Sequence, residues 1–285
     1  MTLGDIDICI CVHNNFADSA FCLALKKIRF LFICALLLVS EVFTFAKEAV
    51  FSLSPKGDSV AVCSGLALEA VSLLMNNPEW DGVRNSKDGV NSFDAKFMHK
   101  YDRALDVSGD VLFGALAAGQ LVLTFTAERQ EWFPVLVMAA ETVLITDGTK
   151  RILKKSASRM RPYTYFEDPP SDSDASASWP SGHSMNGFAI ASFSSYVFSQ
   201  YYPDSPWKWA VTGGAFGIAA VTAASRVLAG CHFVSDTLSG AAFGSAIGFL
   251  VPFLHTNRFL GARSKTGETV QLALIPSGIM LSVHF

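Results

Sequence analysis

The chain has 285 residues, of which 51% are hydrophobic and only 16% charged, with a formal net charge of −3. Soluble domains usually carry about 25% charged residues, so this composition is apolar for a soluble protein. The charge balance excludes a chain-wide basic surface of the kind that binds nucleic acid, and we expect no nucleic-acid partner.

The N-terminal region has the features of a targeting signal. The basic run KKIR, which begins at Lys26, precedes the apolar stretch FLFICALLLV, and small residues follow at Thr44 and Ala46. This order is typical of a secretory signal peptide, and an uncleaved membrane anchor is the other interpretation. We therefore predict an N-terminal extension with a signal peptide or anchor over residues 1–46.

Cysteine usage is compatible with export. Of the six cysteines, only Cys63 and Cys231 would remain in a mature chain. Two cysteines can pair in an oxidising compartment, and two buried free thiols are the other possibility. No metal-binding cysteine spacing is present in that part of the sequence.

Six apolar segments follow, rich in alanine, glycine, leucine, valine and phenylalanine. They span residues 59–75, 109–127, 133–149, 184–201, 209–224 and 238–254. Each approaches the ~20 residues that a membrane span needs, and their small residues permit close helix packing in a membrane or in a soluble core. We predict an all-α fold with a six-helix bundle over residues 47–257, and we expect it to be membrane-embedded. A compact helical domain in the periplasm is the competing interpretation.

The connecting regions differ in character. The polar loop 77–108 is expected to hold a short amphipathic helix, whereas the acidic, serine-rich loop 163–179 reads as a solvated, mobile segment and a candidate lid. The tail, residues 258–285, contains VQLALIP and IMLSVHF on either side of a Ser-Gly pair. That alternation predicts a β-hairpin.

A first polar cluster follows the third apolar segment, where six basic residues fall within twelve positions. A positively charged flank of a membrane helix would explain it. Lys154 and Arg161, however, are seven residues apart, so on a helix both would point to one side. An ammonium and a guanidinium group together suit a tetrahedral oxyanion. Pro162 is predicted to end this helix.

A second cluster is the sequence Pro180-Ser181-Gly182-His183, which immediately precedes the fourth apolar segment. A simple helix cap would explain the serine. The first N–H groups of a helix also attract anions, and glycine allows a close backbone approach. Ser181 and Gly182 are therefore candidate anion ligands, and His183 is placed to carry a proton beside them.

A third cluster, SRVLAGCHFVSD, joins the fifth and sixth segments and contains Arg226, His232 and Asp236. His232 and Asp236 are four residues apart, so on a helix they would share a face. A carboxylate on one imidazole nitrogen fixes the tautomer and leaves the other nitrogen free as a nucleophile. If the segments alternate in direction, all three clusters lie at the same end, which predicts a phosphoryl-transfer site.

The three clusters also resemble the signature motifs of the type 2 phosphatidic acid phosphatase superfamily, which includes class A bacterial acid phosphatases and vanadium haloperoxidases. The matching motifs are Lys154-x6-Arg161-Pro162, Pro180-Ser181-Gly182-His183 and Ser225-Arg226-x5-His232-x3-Asp236. Every motif position matches in order, and the surrounding segments, 59–254, are similar to the helical bundle of that family.

The resemblance implies a role for each position. His232 would attack phosphorus and become a phosphohistidine, Asp236 would orient it, and His183 would protonate the leaving alkoxide and later activate water. The implied phosphate-binding residues are Lys154, Arg161, Ser181, Gly182 and Arg226. Neither a metal nor another cofactor is implied for the phosphatases.

We therefore expect a metal-independent phosphomonoesterase that acts on a lipid phosphate at the outer side of the cytoplasmic membrane. Candidate substrates are phosphatidate, phosphatidylglycerophosphate, an isoprenyl pyrophosphate or the phosphate of lipid A, with membrane lipids as partners and the oligomeric state left open. Alternatives are a soluble periplasmic acid phosphatase of broad specificity, a vanadate-dependent haloperoxidase and a non-enzymatic envelope protein.

Topology separates these alternatives. An external site on six spans requires the chain to enter segment 59–75 from the cytoplasm, whereas a cleaved signal would start it from outside. Either the N-terminal region is not a cleaved signal, or residues 59–254 form a soluble bundle.

Overall fold

Long helices account for most of the residues that the computed structural model describes. It describes residues 50–76, 79–170, 174–256, 262–263, 269–275 and 278–284. These belong to one unit of the chain, Lys47–Phe285. The predicted N-terminal extension lies outside the described residues and stays a prediction.

The described residues form seven α-helices, six of them long. In chain order they are α1 Pro55–Leu73, α2 Ser92–Ala95, α3 Arg103–Thr124, α4 Trp132–Ala157, α5 Gly182–Tyr201, α6 Trp207–Leu228 and α7 Val234–Leu254. Three short 3-10 helices span Lys87–Gly89, Arg129–Glu131 and Pro162–Tyr165. The six long helices fall on the six predicted segments, which confirms the all-α fold, and α2 lies in the loop where a short helix was expected.

Polar residues just before the apolar segments set several helix starts. The Ser54 side chain accepts a hydrogen bond from the N–H of Gly57 at 3.3 Å, and Pro55 takes the first position of α1. Asp102 caps α3 by accepting from Ala104 N–H at 2.9 Å. Such caps satisfy N–H groups that a helix leaves unpaired, so the helices begin where these side chains stand.

Helices α5 and α7 pack with their backbones in close contact. Gly240, Gly244 and Gly248 repeat every fourth residue along one side of α7. A Cβ at Gly244 would overlap the backbone of Met185, and one at Gly248 would overlap that of Ala189. Small residues at this spacing allow such an approach. The packing holds the starts of the two helices side by side.

Three helices, α3, α6 and α7, are long and apolar enough to cross a membrane by length and composition. Their most apolar windows are only 17%, 33% and 33% buried, and large side chains such as Val111, Val122 and Trp209 are exposed. These helices indicate a membrane protein. Among the described residues the other long helices fall outside these criteria; the second half of α4, for example, carries several charged residues. The six-span arrangement stays a prediction.

The tail adopts the predicted hairpin. Strands β1 Ala262–Arg263, β2 Thr269–Ile275 and β3 Gly278–His284 form an antiparallel sheet in the order β1-β2-β3. Ile275 pairs with Gly278, so the chain reverses direction between these two residues, as the alternating pattern predicted.

The two remaining cysteines are unpaired. Cys231 is buried, whereas Cys63 is exposed. The alternative with two free thiols therefore holds, although only one of the thiols is buried.

Candidate active site

The three sequence motifs meet at one end of the bundle, where α4 and α6 end and α5 and α7 begin. The Ser181 N–H, from the second motif, donates to the carbonyl of Asp236 in the third at 3.0 Å. The Arg161 guanidinium, from the first motif, reaches the carbonyl of Cys231 at 3.5 Å. The predicted convergence of the motifs is therefore present in the structure.

The first motif reaches the site by a different route from the one predicted. Helix α4 ends at Ala157, and Ser158 takes a left-handed conformation with φ 46° while its N–H donates to the Lys154 carbonyl at 3.0 Å. The helical spacing of Lys154 and Arg161 was therefore the wrong reason for their proximity. Pro162 begins a 3-10 helix and does not end α4. A chain reversal brings Arg161 back toward the site.

The serine-rich loop is less solvated than predicted. Residues 175–178 are almost completely buried. The Asp174 carbonyl accepts from Arg161 Nε at 2.9 Å, and the Ala177 carbonyl accepts from Lys154 Nζ. The prediction of a solvated, mobile loop was wrong for this part, because its carbonyl groups bind the cations of the first motif and the segment forms a wall of the site.

His232 lies in the turn before α7, with only 2% of its side chain exposed. Its Nδ1 is 3.7 Å from Asp236 Oδ2 and has no hydrogen-bond partner among the described residues. The predicted shared helix face was wrong, since α7 begins only at Val234. Asp236 comes close because it caps the helix, accepting from Phe233 N–H at 2.9 Å. The arrangement leaves Nε2 as the nitrogen that faces away from the carboxylate.

A network that the sequence analysis missed holds Asp236 in place. Its carboxylate accepts from Ser178 Oγ at 2.5 Å and from Arg159 Nη1 at 2.5 Å. Arg159 Nη2 donates to Asp94 at 2.8 Å, and Asp94 also accepts from Ser235 N–H at 3.0 Å. Burial raises the pKa of Asp94, but the hydrogen bonds from Arg159 and Ser235 outweigh it and hold the pKa below its usual 3.8. The Arg159 guanidinium group therefore forms ion pairs with two buried carboxylates.

His183, the second residue of α5, also has a carboxylate partner that was not predicted. Its Nε2 lies 2.9 Å from Asp110 Oδ1 on α3. Arg226 Nη1 lies 3.4 Å from the same oxygen and pairs with Asp106 one turn earlier. The available signal was two aspartates four residues apart at the start of an apolar helix, which places them on one face. The start of α3 thus contributes to the site as well.

Burial and neighbouring cations determine the charge of the two histidines. Burial, reinforced by Arg161 and Lys154, lowers the pKa of His232 well below 6.5. Burial and Arg226 lower the pKa of His183 to about 4, although Asp110 acts in the opposite direction. Both imidazoles are therefore neutral near pH 7, and His232 has a lone pair available for attack.

Burial, followed by the charge of Arg161, also lowers the pKa of Lys154 to about 7. A bound anion would act in the opposite direction and favour the ammonium form. The charge of this lysine is therefore sensitive to what occupies the site.

The second motif combines a helix cap with an anion-binding terminus. Ser181 is fully buried, and its Oγ accepts from Ser184 N–H at 3.5 Å. Its own N–H donates to the Asp236 carbonyl, so both the hydroxyl and the N–H of Ser181 already form hydrogen bonds. Gly182 begins α5, and a Cβ there would lie 3.1 Å from Lys150 Cδ and 3.8 Å from Lys154 Cε. Lysine side chains thus adjoin a helix N-terminus, which suits an anion.

Comparisons with known proteins agree with these motifs. The family model described as PAP2 superfamily matches residues 130–260. A lipid A 1-phosphatase from Porphyromonas gingivalis is 30% identical over 159 residues, 56% of this chain and 32% of that protein. A phosphatidylglycerophosphatase B from Bacillus subtilis is 36% identical over 128 residues, 43% of this chain and 58% of that protein. The chain thus spans about a third and just over half of these relatives.

One solved structure is also similar, a crystal structure described as the first transmembrane PAP2 type phosphatidylglycerolphosphate phosphatase from Bacillus subtilis. The alignment covers 67% of this chain and 94% of that one, with 23% identity and a TM-score of 0.33. The family match over residues 130–260 includes all three motifs. It confirms the predicted resemblance: this region of the chain is similar to the PAP2 superfamily.

Proposed function

We propose that this chain is a phosphatase that hydrolyses lipid phosphomonoesters through a phosphohistidine at His232. The observation that carries the proposal is the arrangement around that residue. A buried neutral imidazole turns Nδ1 toward a fixed carboxylate, and the cations of the first and third motifs surround it. Phosphoryl transfer needs this combination of nucleophile and positive charge.

In the first step the phosphate oxygens bind Lys154, Arg161 and Arg226 together with the N–H groups at the start of α5. His232 Nε2 attacks phosphorus and forms an N–P bond. The bond from phosphorus to the lipid oxygen breaks, and that oxygen takes a proton from His183. Asp236 stabilises the positive charge that develops on the attacking imidazole.

In the second step His183, now neutral, takes a proton from water. The resulting hydroxide attacks phosphorus, the N–P bond breaks, and inorganic phosphate leaves with His232 restored. His183 must be protonated for the first step and neutral for the second. Since burial holds its pKa at about 4, the negative charge of the bound phosphate is needed to raise it toward the working pH.

Two features support a lipid substrate. Helices α3, α6 and α7 expose apolar side chains along most of their length, as expected for helices in contact with lipid. The two relatives described above carry the names of phosphatases that act on lipid phosphates. A lipid substrate anchored in the bilayer would approach the charged end of the helical bundle laterally, through the membrane.

We place this end of the bundle at the outer face of the cytoplasmic membrane. The N-terminal pattern favours a protein of the cell envelope. The arrangement requires the chain to enter α1 from the cytoplasm, so the N-terminal region is not a cleaved signal in this proposal. A reporter fused after residue 257 tests this arrangement. A cytoplasmic reporter agrees with it, and an external reporter contradicts it.

The substrate is tested by phosphate release from purified protein in detergent micelles. Phosphatidate, phosphatidylglycerophosphate, an isoprenyl pyrophosphate and lipid A are compared with the soluble ester p-nitrophenyl phosphate. We expect a lipid to be the best substrate for the wild type and for a control variant of the exposed His99, His99→Ala. A preference for the soluble ester would favour a broad-specificity phosphatase, and no release from any ester would overturn the proposal.

A further inference from the structure

A second cluster of ionisable side chains lies at the opposite end of the bundle and takes no part in the proposed reaction. Asp58 is in the first turn of α1, Glu141 lies within α4, and His255 follows the last residue of α7. His255 is nineteen residues beyond Asp236 along the chain, a distance of about 28 Å on a helix. The two sites are therefore separate.

The imidazole of His255 is oriented toward both carboxylates. Its Nε2 lies 3.1 Å from Asp58 Oδ1 and 3.3 Å from Glu141 Oε2. Its Nδ1 lies 2.7 Å from the carbonyl oxygen of Val251. A carbonyl oxygen can only accept, so Nδ1 carries the hydrogen and a neutral imidazole presents an unprotonated Nε2. Three acceptor atoms then face one another, and either a metal ion or a shared proton has to lie between them.

Glu141 strengthens this requirement because it is completely buried. Neither of its carboxylate oxygens has a hydrogen-bond partner among the described residues. Met138, from the preceding turn of α4, and Val251, whose carbonyl contacts His255, belong to the apolar core. A buried carboxylate is costly unless it is paired or binds a metal. Within the described ranges, no lysine or arginine forms a salt bridge with Glu141 or Asp58.

We propose that Asp58, Glu141 and His255 bind a divalent transition metal ion, with Zn²⁺ as the best match. One imidazole and two carboxylates are common zinc ligands, and ligands about 2.1 Å from a tetrahedral ion stand about 3.4 Å apart. The observed separations of 3.1 and 3.3 Å need little change to meet that geometry. The hydrogen bond from Nδ1 to a backbone carbonyl is the outer contact that ligating histidines usually make.

The ion would tie the start of α1 to the middle of α4 and the end of α7. The Asp58 and His255 side chains are 15% and 11% exposed, so an ion could reach them from solvent. This role is structural and independent of phosphate release. The opposing explanation is a protonated His255 that pairs with the carboxylates and binds no metal.

The test measures zinc binding by the full chain in detergent after removal of metals with a chelator. Calorimetric titration and elemental analysis are expected to give about one tightly bound Zn²⁺ per wild-type chain. Zinc is also expected to raise the midpoint of thermal unfolding relative to chelator. His255→Gln and Glu141→Gln should lose both effects, whereas His99→Gln and Glu79→Gln, at exposed positions, should keep them.

Titration of the wild type with Co²⁺ gives a second readout that does not depend on the variants folding. Absorption bands of a four-coordinate ion would support the site. Wild-type protein that binds no more zinc than His255→Gln, or that shows no cobalt bands, would overturn the proposal in favour of a protonated ion pair.

Discussion

The two histidines of the candidate site are supported in very different ways. The partner of His232, Asp236, is completely buried and held by a side-chain hydroxyl, a guanidinium group and a backbone N–H. The partner of His183, Asp110, is 58% exposed and shares one oxygen with Arg226. A nucleophile needs a fixed orientation, whereas a proton donor has to adjust its charge when substrate binds. The fold therefore fixes the orientation of His232, whereas the protonation state of His183 can change when substrate binds.

The largest effect is expected from removing the nucleophile. His232→Ala should lower kcat by about 10³-fold or more, because the proposed phosphorylated intermediate forms on this residue. Phosphate release from the preferred lipid measures it, with His99→Ala as the control. Normal accumulation of His232→Ala together with wild-type activity would refute the mechanism.

The next largest effect is expected from removing Arg159, which holds the partner of His232 in place. Arg159→Ala leaves Asp236 and Asp94 as buried carboxylates without their shared cation. We expect a loss of about 2–4 kcal/mol in the free energy of unfolding, with kcat reduced by about 10²-fold as Asp236 loses its position. Denaturant titration and kinetics measure the two changes.

The matched control is Arg151→Ala, since that half-exposed side chain also bridges two carboxylates. Its pairs lie near the surface, so about 1 kcal/mol or less should be lost. Equal losses for the two variants would show that the buried network has no special importance.

The packing of α5 against α7 connects the two sides of the site. Gly244→Ala inserts a methyl group into the Met185 backbone and should destabilise the fold by about 1–3 kcal/mol. Gly217→Ala is the control, because a Cβ there has no neighbour within 4 Å. That variant should gain about 0.5–1 kcal/mol from helix propensity. Similar unfolding midpoints for both variants would contradict the close packing.

The smallest effect is expected from changing Asp110, the partner of His183. Asp110→Asn removes a negative charge that raises the pKa of His183, so that pKa should fall further below 6.5. Because the proposed mechanism needs a protonated His183 to release the alkoxide, the high-pH limb of the kcat profile should move to lower pH. We expect kcat near neutral pH to fall about tenfold. The exposed Asp81→Asn is the control, and an unmoved profile would exclude Asp110 as the partner that tunes this histidine.

Sequence reasoning succeeded where the physics is local. The six helices follow from apolar segments of sufficient length, and the cap at Ser181 from a polar residue before such a segment. It failed where a single backbone angle decides the outcome. The left-handed Ser158 ends α4 before Pro162, a position that no periodicity marks.

The support of Asp236 was also beyond prediction. Asp94 meets Arg159 across 65 residues of chain, and neither residue belongs to a motif that would pair them. In the sequence, Arg159 is one of several charges in a basic run. In the structure it pairs with two buried carboxylates. Contacts between distant segments depend on the packing of whole helices, which residue patterns do not specify.

The most direct test of the account is to capture the intermediate. Wild-type protein is mixed with its preferred lipid phosphate, quenched in alkali during turnover, digested and analysed by mass spectrometry. We predict a phosphoryl group on the peptide that contains His232, labile in acid and missing from His232→Ala. A phosphoryl group on another residue, or steady turnover of lipid phosphate without phosphorylated His232, would contradict the account.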